Sequence, residues 1–269
     1  MGIVNDGTDT HFSSRARVAF NASGETDGGL SFGASFRADN AIGASGGTAG
    51  SVFLSGAFGK LSMGNVAGAA EAAVGDLSGV GYTGLGDYSD TVFLTGDGVE
   101  VPGDDTDEPI AQYAYTAGDL SVYLSTSDGV QRQSYAVGVG YTMGDYNFGL
   151  AYESTDDAFH EGVDGSHVVA SLGGTFGAIS AKAVYGQADV DGLDVTQYGA
   201  SATYTMDALA VTGFYKTVDN EYAGTETDAI GLGAAYDLGG GAAVKGGVVN
   251  VDNGTTDDSI YDLGVSFTF

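Results

Sequence analysis

The sequence predicts an all-β chain, a sixteen-stranded antiparallel transmembrane β-barrel. Three observations carry that expectation. Apolar and polar residues alternate with period two almost throughout, and a helical period of 3.6 is hard to find. Connections alternate between tight turns and longer acidic segments, as they do between the two rims of a membrane barrel. No stretch approaches the ~18 consecutive apolar residues of a membrane helix.

Taken in order, the alternating runs begin with a remnant at 1–5, followed by strands at 10–23, 29–40, 51–58 and 60–66. A long irregular segment covers 67–109. Strands resume at 110–117, 119–127, 133–142, 146–154, 166–176, 178–187, 195–206, 208–218, 228–238, 242–251 and 258–269. The even total fits a single-chain bacterial barrel, and the whole of 1–269 reads as one domain. The last run is the clearest: Tyr261, Leu263, Val265, Phe267 and Phe269 share one face, with Asp262, Gly264, Ser266 and Thr268 between them. Tight turns are expected at Gly59-Lys60, Ala117-Gly118, Met143-Gly144-Asp145, Gly177-Ala178, Asp207-Ala208 and Gly239-Gly240-Gly241. Longer polar connections are expected at 155–165 and 219–227.

Composition narrows the partners. Thirty-six acidic residues against 8 basic give a net charge of −28, which would repel nucleic-acid phosphates. A hydrophobic fraction of 43%, with 16 Tyr and 13 Phe, excludes a disordered acidic chain. The absence of cysteine rules out disulfides and thiolate metal sites.

The two faces of each strand differ in chemistry. Phe12 and Phe20, Tyr135 and Tyr141, Tyr146 and Tyr152, and Tyr198 and Tyr204 sit near strand ends on the apolar face, as interfacial aromatic girdles do. The other face carries Gly, Ser, Thr and Asn, together with Arg15, Arg17, Arg37, Lys60, Lys182, Lys216 and Lys245. A cation facing lipid at the bilayer midplane costs roughly 2–4 kcal/mol, so this face belongs on water. A barrel of sixteen strands is too wide to fill with its own side chains and encloses an aqueous channel.

The segment 67–109 holds Asp76, Asp87, Asp90, Asp97, Glu100, Asp104, Asp105, Asp107 and Glu108. Folded inward, its carboxylates would oppose the wall cations across a narrow section and select among ions. Left outside, it would be a solvated acidic loop. The residues alone leave both placements open.

Other patterns carry less. Gly79-Val-Gly81-Tyr-Thr-Gly84 fits a dinucleotide fingerprint but opens no predicted helix, and chance accounts for it among 47 glycines. His11, His160 and His167 show no convergent ligand spacing and read as solvated. No nucleophile–base constellation is visible, so an enzyme is not expected. A Gly/Asp-rich adhesive β-solenoid would need a fixed short repeat, which is missing.

The chain resembles the general trimeric porins of α-proteobacteria, the type known from purple photosynthetic bacteria. The stretches that carry the resemblance are Phe12-Ser-Ser-Arg-Ala-Arg-Val18, Gly33-Ala-Ser-Phe36, Val52-Phe-Leu-Ser-Gly-Ala-Phe-Gly-Lys60, Gly75-Asp-Leu77, Gly81-Tyr-Thr83, Leu94-Thr-Gly-Asp97, Tyr236-Asp-Leu-Gly-Gly-Gly241, Asp262-Leu-Gly-Val265 and the terminal Phe269. Each is weak alone; together, in order along the chain, they are specific.

The resemblance implies a homotrimer in the bacterial outer membrane, among lipid and lipopolysaccharide. It implies a long third loop, 67–109, folded into the pore as an eyelet. Arg15, Arg17 and Arg37 would form the basic wall opposite Asp76, Asp87, Asp90, Asp97 and Glu100. Phe32, Phe36, Val52, Leu54, Leu61 and Met63 would lie at the trimer contact. Phe269 would be the C-terminal barrel signal. No cofactor is required, but calcium is implied near the eyelet, where Asp104, Asp105, Asp107 and Glu108 supply hard oxygen ligands. The family's chains begin about one strand length (~10 residues) earlier, so 1–5 would be a stub and its closure against the last strand is open.

The expected function is passive diffusion of ions and small hydrophilic solutes, with weak cation preference from the acidic excess. A substrate-specific channel is the nearest alternative, with Tyr82, Tyr88 and Phe93 as candidate track residues. A structural or adhesive surface protein is the alternative of another class.

Overall fold

A computed structural model describes residues 1–40, 48–96, 110–127, 133–159 and 162–268. Its strands are β1 (Gly2–Asn5), β2 (Thr10–Ser13), β3 (Ala16–Glu25), β4 (Ser31–Asn40), β5 (Thr48–Gly56) and β6 (Gly59–Gly64). One helix follows, α1 (Ala69–Val74). Then come β7 (Ile110–Ala117), β8 (Leu120–Ser127), β9 (Ser134–Met143), β10 (Tyr146–Thr155), β11 (Gly165–Phe176) and β12 (Ile179–Val190). The last five are β13 (Leu193–Met206), β14 (Leu209–Asn220), β15 (Thr225–Gly239), β16 (Ala242–Asp252) and β17 (Asp257–Phe267). All seventeen belong to one sheet, and the pairings are antiparallel between chain neighbours, save that β1 also pairs with β17.

The expected count of sixteen becomes seventeen because the run predicted at 10–23 is interrupted at Ser14-Arg15, leaving β2 and β3 as two pieces. The short first strand does pair. Gly2 lies opposite Gly264 and Asn5 opposite Tyr261 on β17, while the other edge matches Gly2 to Ser13 and Asn5 to Thr10 on β2.

The alternation of chemistry is the alternation of exposure. On β9, Tyr135, Val137, Val139 and Tyr141 are exposed, while Ser134, Ala136 and Gly138 between them are buried. The exposed row continues through Phe148, Leu150, Leu172, Tyr198, Ile230, Leu232 and Leu263. Such a continuous exposed apolar surface far exceeds the patches soluble monomers tolerate. Lipid is the solvent that suits it.

Four turn expectations are corrected. The β7–β8 turn is Gly118-Asp119, not Ala117-Gly118, because Ala117 pairs with Leu120. The β5–β6 turn is Ala57-Phe58, not Gly59-Lys60, because Gly59 already pairs with Gly56. The predicted 219–227 connection shrinks to 221–224, since polar residues continue the ladder through Asn220 opposite Thr225. Between β12 and β13 only Asp191-Gly192 intervenes, with φ of 52° and 79°. Two successive positive φ values make a hairpin turn whose twist matches the strands, and Asp-Gly is its favoured sequence. The expected gap of 188–194 was therefore too long, and the longer rim is less uniform than predicted.

Candidate functional site

The segment 67–96 lies on the polar face of the sheet. It starts with α1, whose Ala-rich sequence favours helix. Gly75, at φ 62°, ends it by donating its amide to Glu71 O at 2.7 Å, a left-handed stop that suits glycine. Irregular turns follow from Gly81 to Asp90, where Leu85 and Asp87 also hold positive φ.

Its path runs out across the sheet and back. Ala69 N donates to Ser125 Oγ on β8 at 2.8 Å. The helix then passes over β9 and β10 at Gly138 and Gly149, where a Cβ would overlap Ala69 O and Ala73 O. Val74 O accepts from Ser171 Oγ on β11 at 3.1 Å and from Lys182 Nζ on β12 at 2.6 Å. Ser78 N donates to Ser201 Oγ on β13 at 2.9 Å. At the far end, Asp262 Oδ2 on β17 accepts from Tyr82 N, Thr83 N and Thr83 Oγ1 at 2.8, 2.6 and 2.8 Å.

On the return, Lys216 Nζ on β14 donates to Asp90 O. Gln197 on β13 accepts from Val92 N at 2.8 Å and donates to Val92 O at 2.6 Å. Glu153 on β10 accepts from Leu94 N at 2.7 Å, Thr95 N at 3.1 Å and Thr95 Oγ1 at 2.8 Å. Its Oε1 also lies 2.7 Å from His167 Nδ1 on β11. Glu153 is fully buried, and a buried carboxylate is tolerable only when its lone pairs are satisfied in this way.

Apolar contacts reinforce the latches. Ala70, Val74 and Leu77 pack on Ala151, Val169 and Val184. Val80 and Leu85 pack on Phe214, Ala229 and Val249, and Leu94 packs with Ala158, Val190 and Val195. The segment therefore has two sides. Val74, Leu77, Val80, Leu85 and Leu94 are buried on the wall, while Asp76, Asp87 and Asp90 are exposed on the other side. Asp76 Oδ1 accepts from Thr91 N at 2.8 Å, and Asp87 O from Asp90 N at 2.9 Å, so the three acids are knitted into one short stretch. The Asp90 carboxyl is pushed up to about 6, first by the protein that surrounds it, then by Asp76 and Asp87, with Lys216 opposing.

A profile of the family described as Gram-negative porin matches residues 2–256. The chain belongs to this family. A porin of Rhodobacter capsulatus is 40% identical over 299 residues, which span 100% of this chain and 97% of the relative. A porin structure refined at 1.8 Å resolution superposes with a TM-score of 0.87 at 37% identity, covering 100% of this chain and 97% of that one. A mutant porin of Rhodopseudomonas blastica superposes at 0.69 with 22% identity, covering 100% and 96%, a likeness of fold. The protein is a non-catalytic, porin-type channel of the bacterial outer membrane.

In this porin, the sequence-predicted residues separate into groups. Asp76, Asp87 and Asp90 come together on the free side of the segment. Arg15 and Arg17 are exposed at the start of β3, and Arg37 is half-buried on β4, two positions from Arg17's partner Asp39 in the ladder. Phe32, Phe36, Val52, Leu54, Leu61 and Met63 are all exposed on the apolar face of β4 to β6. Asp97, Glu100, Asp104, Asp105, Asp107, Glu108 and Phe269 lie outside the described residues, as does His160. Among the described residues, no three His, Asp or Glu side chains are grouped to hold a metal.

Two readings are corrected. His167 is not solvated; it is buried beside Glu153, and its Nε2 lies 3.4 Å from Gln197 Nε2. Tyr82 and Phe93 form no open track: the Tyr82 hydroxyl donates to Ser13 O at 3.2 Å, and Phe93 packs on the Val74–Leu77 cluster. Sequence reasoning also missed the latch residues Glu153, Gln197 and Asp262. Each is a long or charged polar side chain with small residues as same-face neighbours: Gly149 and Ala151 before Glu153, Gly199 and Ser201 after Gln197, Gly264 and Ser266 after Asp262.

Proposed function

We propose that the sheet closes through β1 into a barrel around a water-filled channel, and that 67–109 is the loop that narrows it. The channel passes ions and small hydrophilic solutes by diffusion, with a weak preference for cations. The observation that carries this reading is the two-sidedness of 67–96: its apolar side and backbone are consumed by the wall, and its carboxylates are left for water. The pairing of β1 with both β17 and β2 supports closure. Two wall cations, Lys182 and Lys216, bond to loop carbonyls, and Arg15, Arg17 and Arg37 are the wall cations we assign to face the acidic side. Opposed charges across a constriction penalise apolar solutes and bias ion passage.

The exposed apolar row Phe32, Phe36, Val52, Leu54, Leu61 and Met63 is the face we assign to contact between copies in a homotrimer, with the remaining apolar face against lipid and lipopolysaccharide. Calcium near the loop would draw on Asp104, Asp105, Asp107 and Glu108, and nothing in the conduction path is routed through it. Single-channel recording in planar bilayers at graded salt tests the proposal. Ohmic steps in groups of three, with a reversal potential on the cation side, are expected. A heat-modifiable barrel that carries no current would contradict it.

A further inference from the structure

We propose that the lipid-facing wall of β10–β14 seats one acyl chain of a phospholipid with an ammonium headgroup, drawn from the periplasmic leaflet. The proposal rests on the family's place in the outer membrane and not on conduction, so a channel that carried no current would leave it standing.

Ladder register builds the seat. On the outer face, Ala181 on β12 lies opposite Ala202 on β13, which lies opposite Gly213 on β14. Farther along the same strands, Ala183 lies opposite Ala200. These small residues floor a depression of about 820 Å³ that opens on the lipid side. Larger side chains stand around it. Toward β10, the Tyr146 and Phe176 rings meet edge to face over Gly174, centroids 5.5 Å apart, and Phe148 lies opposite Leu172. Toward β15, Leu232 leans over Gly213. At the turn end, Ile179 is flanked in the ladder by Phe176 and Tyr204, and at the other end Tyr185 lies opposite Tyr198. Lipid tails are as apolar as this wall, so burial alone favours no chain over its neighbours. Contact on several sides at once does, because small dispersion gains add over many atom pairs.

Two observations choose the lipid. First, β12 begins at Ile179 and β13 ends at Met206, so Ala181 and Ala202 lie near tight turns. Tight turns mark the periplasmic rim of an outer-membrane barrel, where the leaflet is phospholipid and not lipopolysaccharide. Second, the turns that border the depression, 143–146, 176–179 and 206–209, carry exposed Asp145 and Asp207 and no Lys or Arg. Lys182 lies in the floor, but its ammonium bonds Val74 O at 2.6 Å on the opposite face. An anionic headgroup would meet like charge there, and an ammonium meets opposite charge.

The test uses the full porin reconstituted in vesicles of equal parts phosphatidylethanolamine and phosphatidylglycerol with matched acyl chains. After re-extraction in mild detergent, the lipids that stay bound are counted by native mass spectrometry. One phosphatidylethanolamine per chain is expected, favoured over phosphatidylglycerol. Ala200→Leu and Ala183→Leu fill the floor on a face that accepts apolar bulk, and each should lower that retention about five-fold or more, the worth of about ten lost contacts. Val137→Leu, elsewhere on the lipid face, should not. Asp145→Asn should reduce the headgroup preference about two- to six-fold, the range for one unit charge ~4–8 Å from another in water. Phosphatidylglycerol retained as well as phosphatidylethanolamine, filled variants that keep the lipid, or equal loss in Val137→Leu would each overturn the proposal. So would a parallel preparation with lipopolysaccharide in which the filled variants lose lipopolysaccharide instead, or filled variants that change the number of subunits. If one filled variant does not fold, the other and Asp145→Asn decide.

Discussion

The wall from β8 to β17 and the wall at β3 present the same strand chemistry to very different surroundings. On β13, exposure alternates strictly through Val195, Gln197, Gly199 and Ser201, whose side of the strand is buried. On β3, both sides are exposed almost from end to end, Arg17, Ala19 and Asn21 as much as Val18 and Phe20. The difference is the segment 67–96, which covers the polar face of the first wall and leaves the second bare. Among the described residues the core is built between the sheet and the segment 67–96, and the polar face of β3 takes no part in it.

That division can be broken by substitution. The largest effect is expected for Glu153→Ala. It strands the amides of Leu94 and Thr95 and leaves His167 without its carboxylate. Each buried donor left without its acceptor costs about 1–3 kcal/mol. Hydrogen exchange at Leu94 and Thr95 should accelerate accordingly while the β3–β4 ladder stays protected; equal change in both would deny the division.

A smaller effect separates two glycines. Gly138→Val must displace α1 at Ala69, an overpacking worth about 1–3 kcal/mol, and should alter conductance as the loop shifts. Gly213→Ala on the lipid side meets only ordinary contacts, at 3.5 Å from Gly231 O, and should stay within about 0.5 kcal/mol of native. Thermal unfolding of the two variants, side by side, checks this.

On the bare wall the expectation inverts. Arg15→Gln, at an exposed position, should leave stability within about 0.5 kcal/mol and move the reversal potential further toward cations. The smallest effect is the pH dependence of the loop itself. Because the Asp90 carboxyl is raised from 3.8 to about 6, its contribution favours the latched loop below about pH 4 and is lost as pH rises through about 6. Once divided by the intrinsic base-catalysed rate at each pH, protection of the 88–92 amides should fall slightly from pH 5 to pH 7 in the native porin and not in Asp90→Asn.

Much of this architecture was legible in the sequence, because a side-chain period of two and the cost of a charge in lipid act residue by residue. The faces of Tyr135–Tyr141 and Tyr146–Tyr152 follow from that alone. Where strands end was harder to read. Polar residues such as Asp219 and Asn220 continue the ladder, and Asp191-Gly192 closes a hairpin where a longer acidic gap was expected. The loop's acids were legible as a group, but its attachment was not. Glu153 is 58 or 59 residues from the amides it holds, and Asp262 is 179 or 180 from its own, so no local pattern links them. The inward glycines were visible only as small residues on a polar face; their role as a bed for α1 needs the third dimension.

The central claim, that the acidic side of 67–96 lines the conducting path, has a direct test because the native chain contains no cysteine. Asp87→Cys and, as a control on the lipid face, Leu232→Cys would each be treated with a bulky charged thiol reagent during single-channel recording. Stepwise loss of current for Asp87→Cys, with none for Leu232→Cys, is the predicted result. Unchanged current at Asp87→Cys after complete labelling would place the segment outside the path and contradict the account.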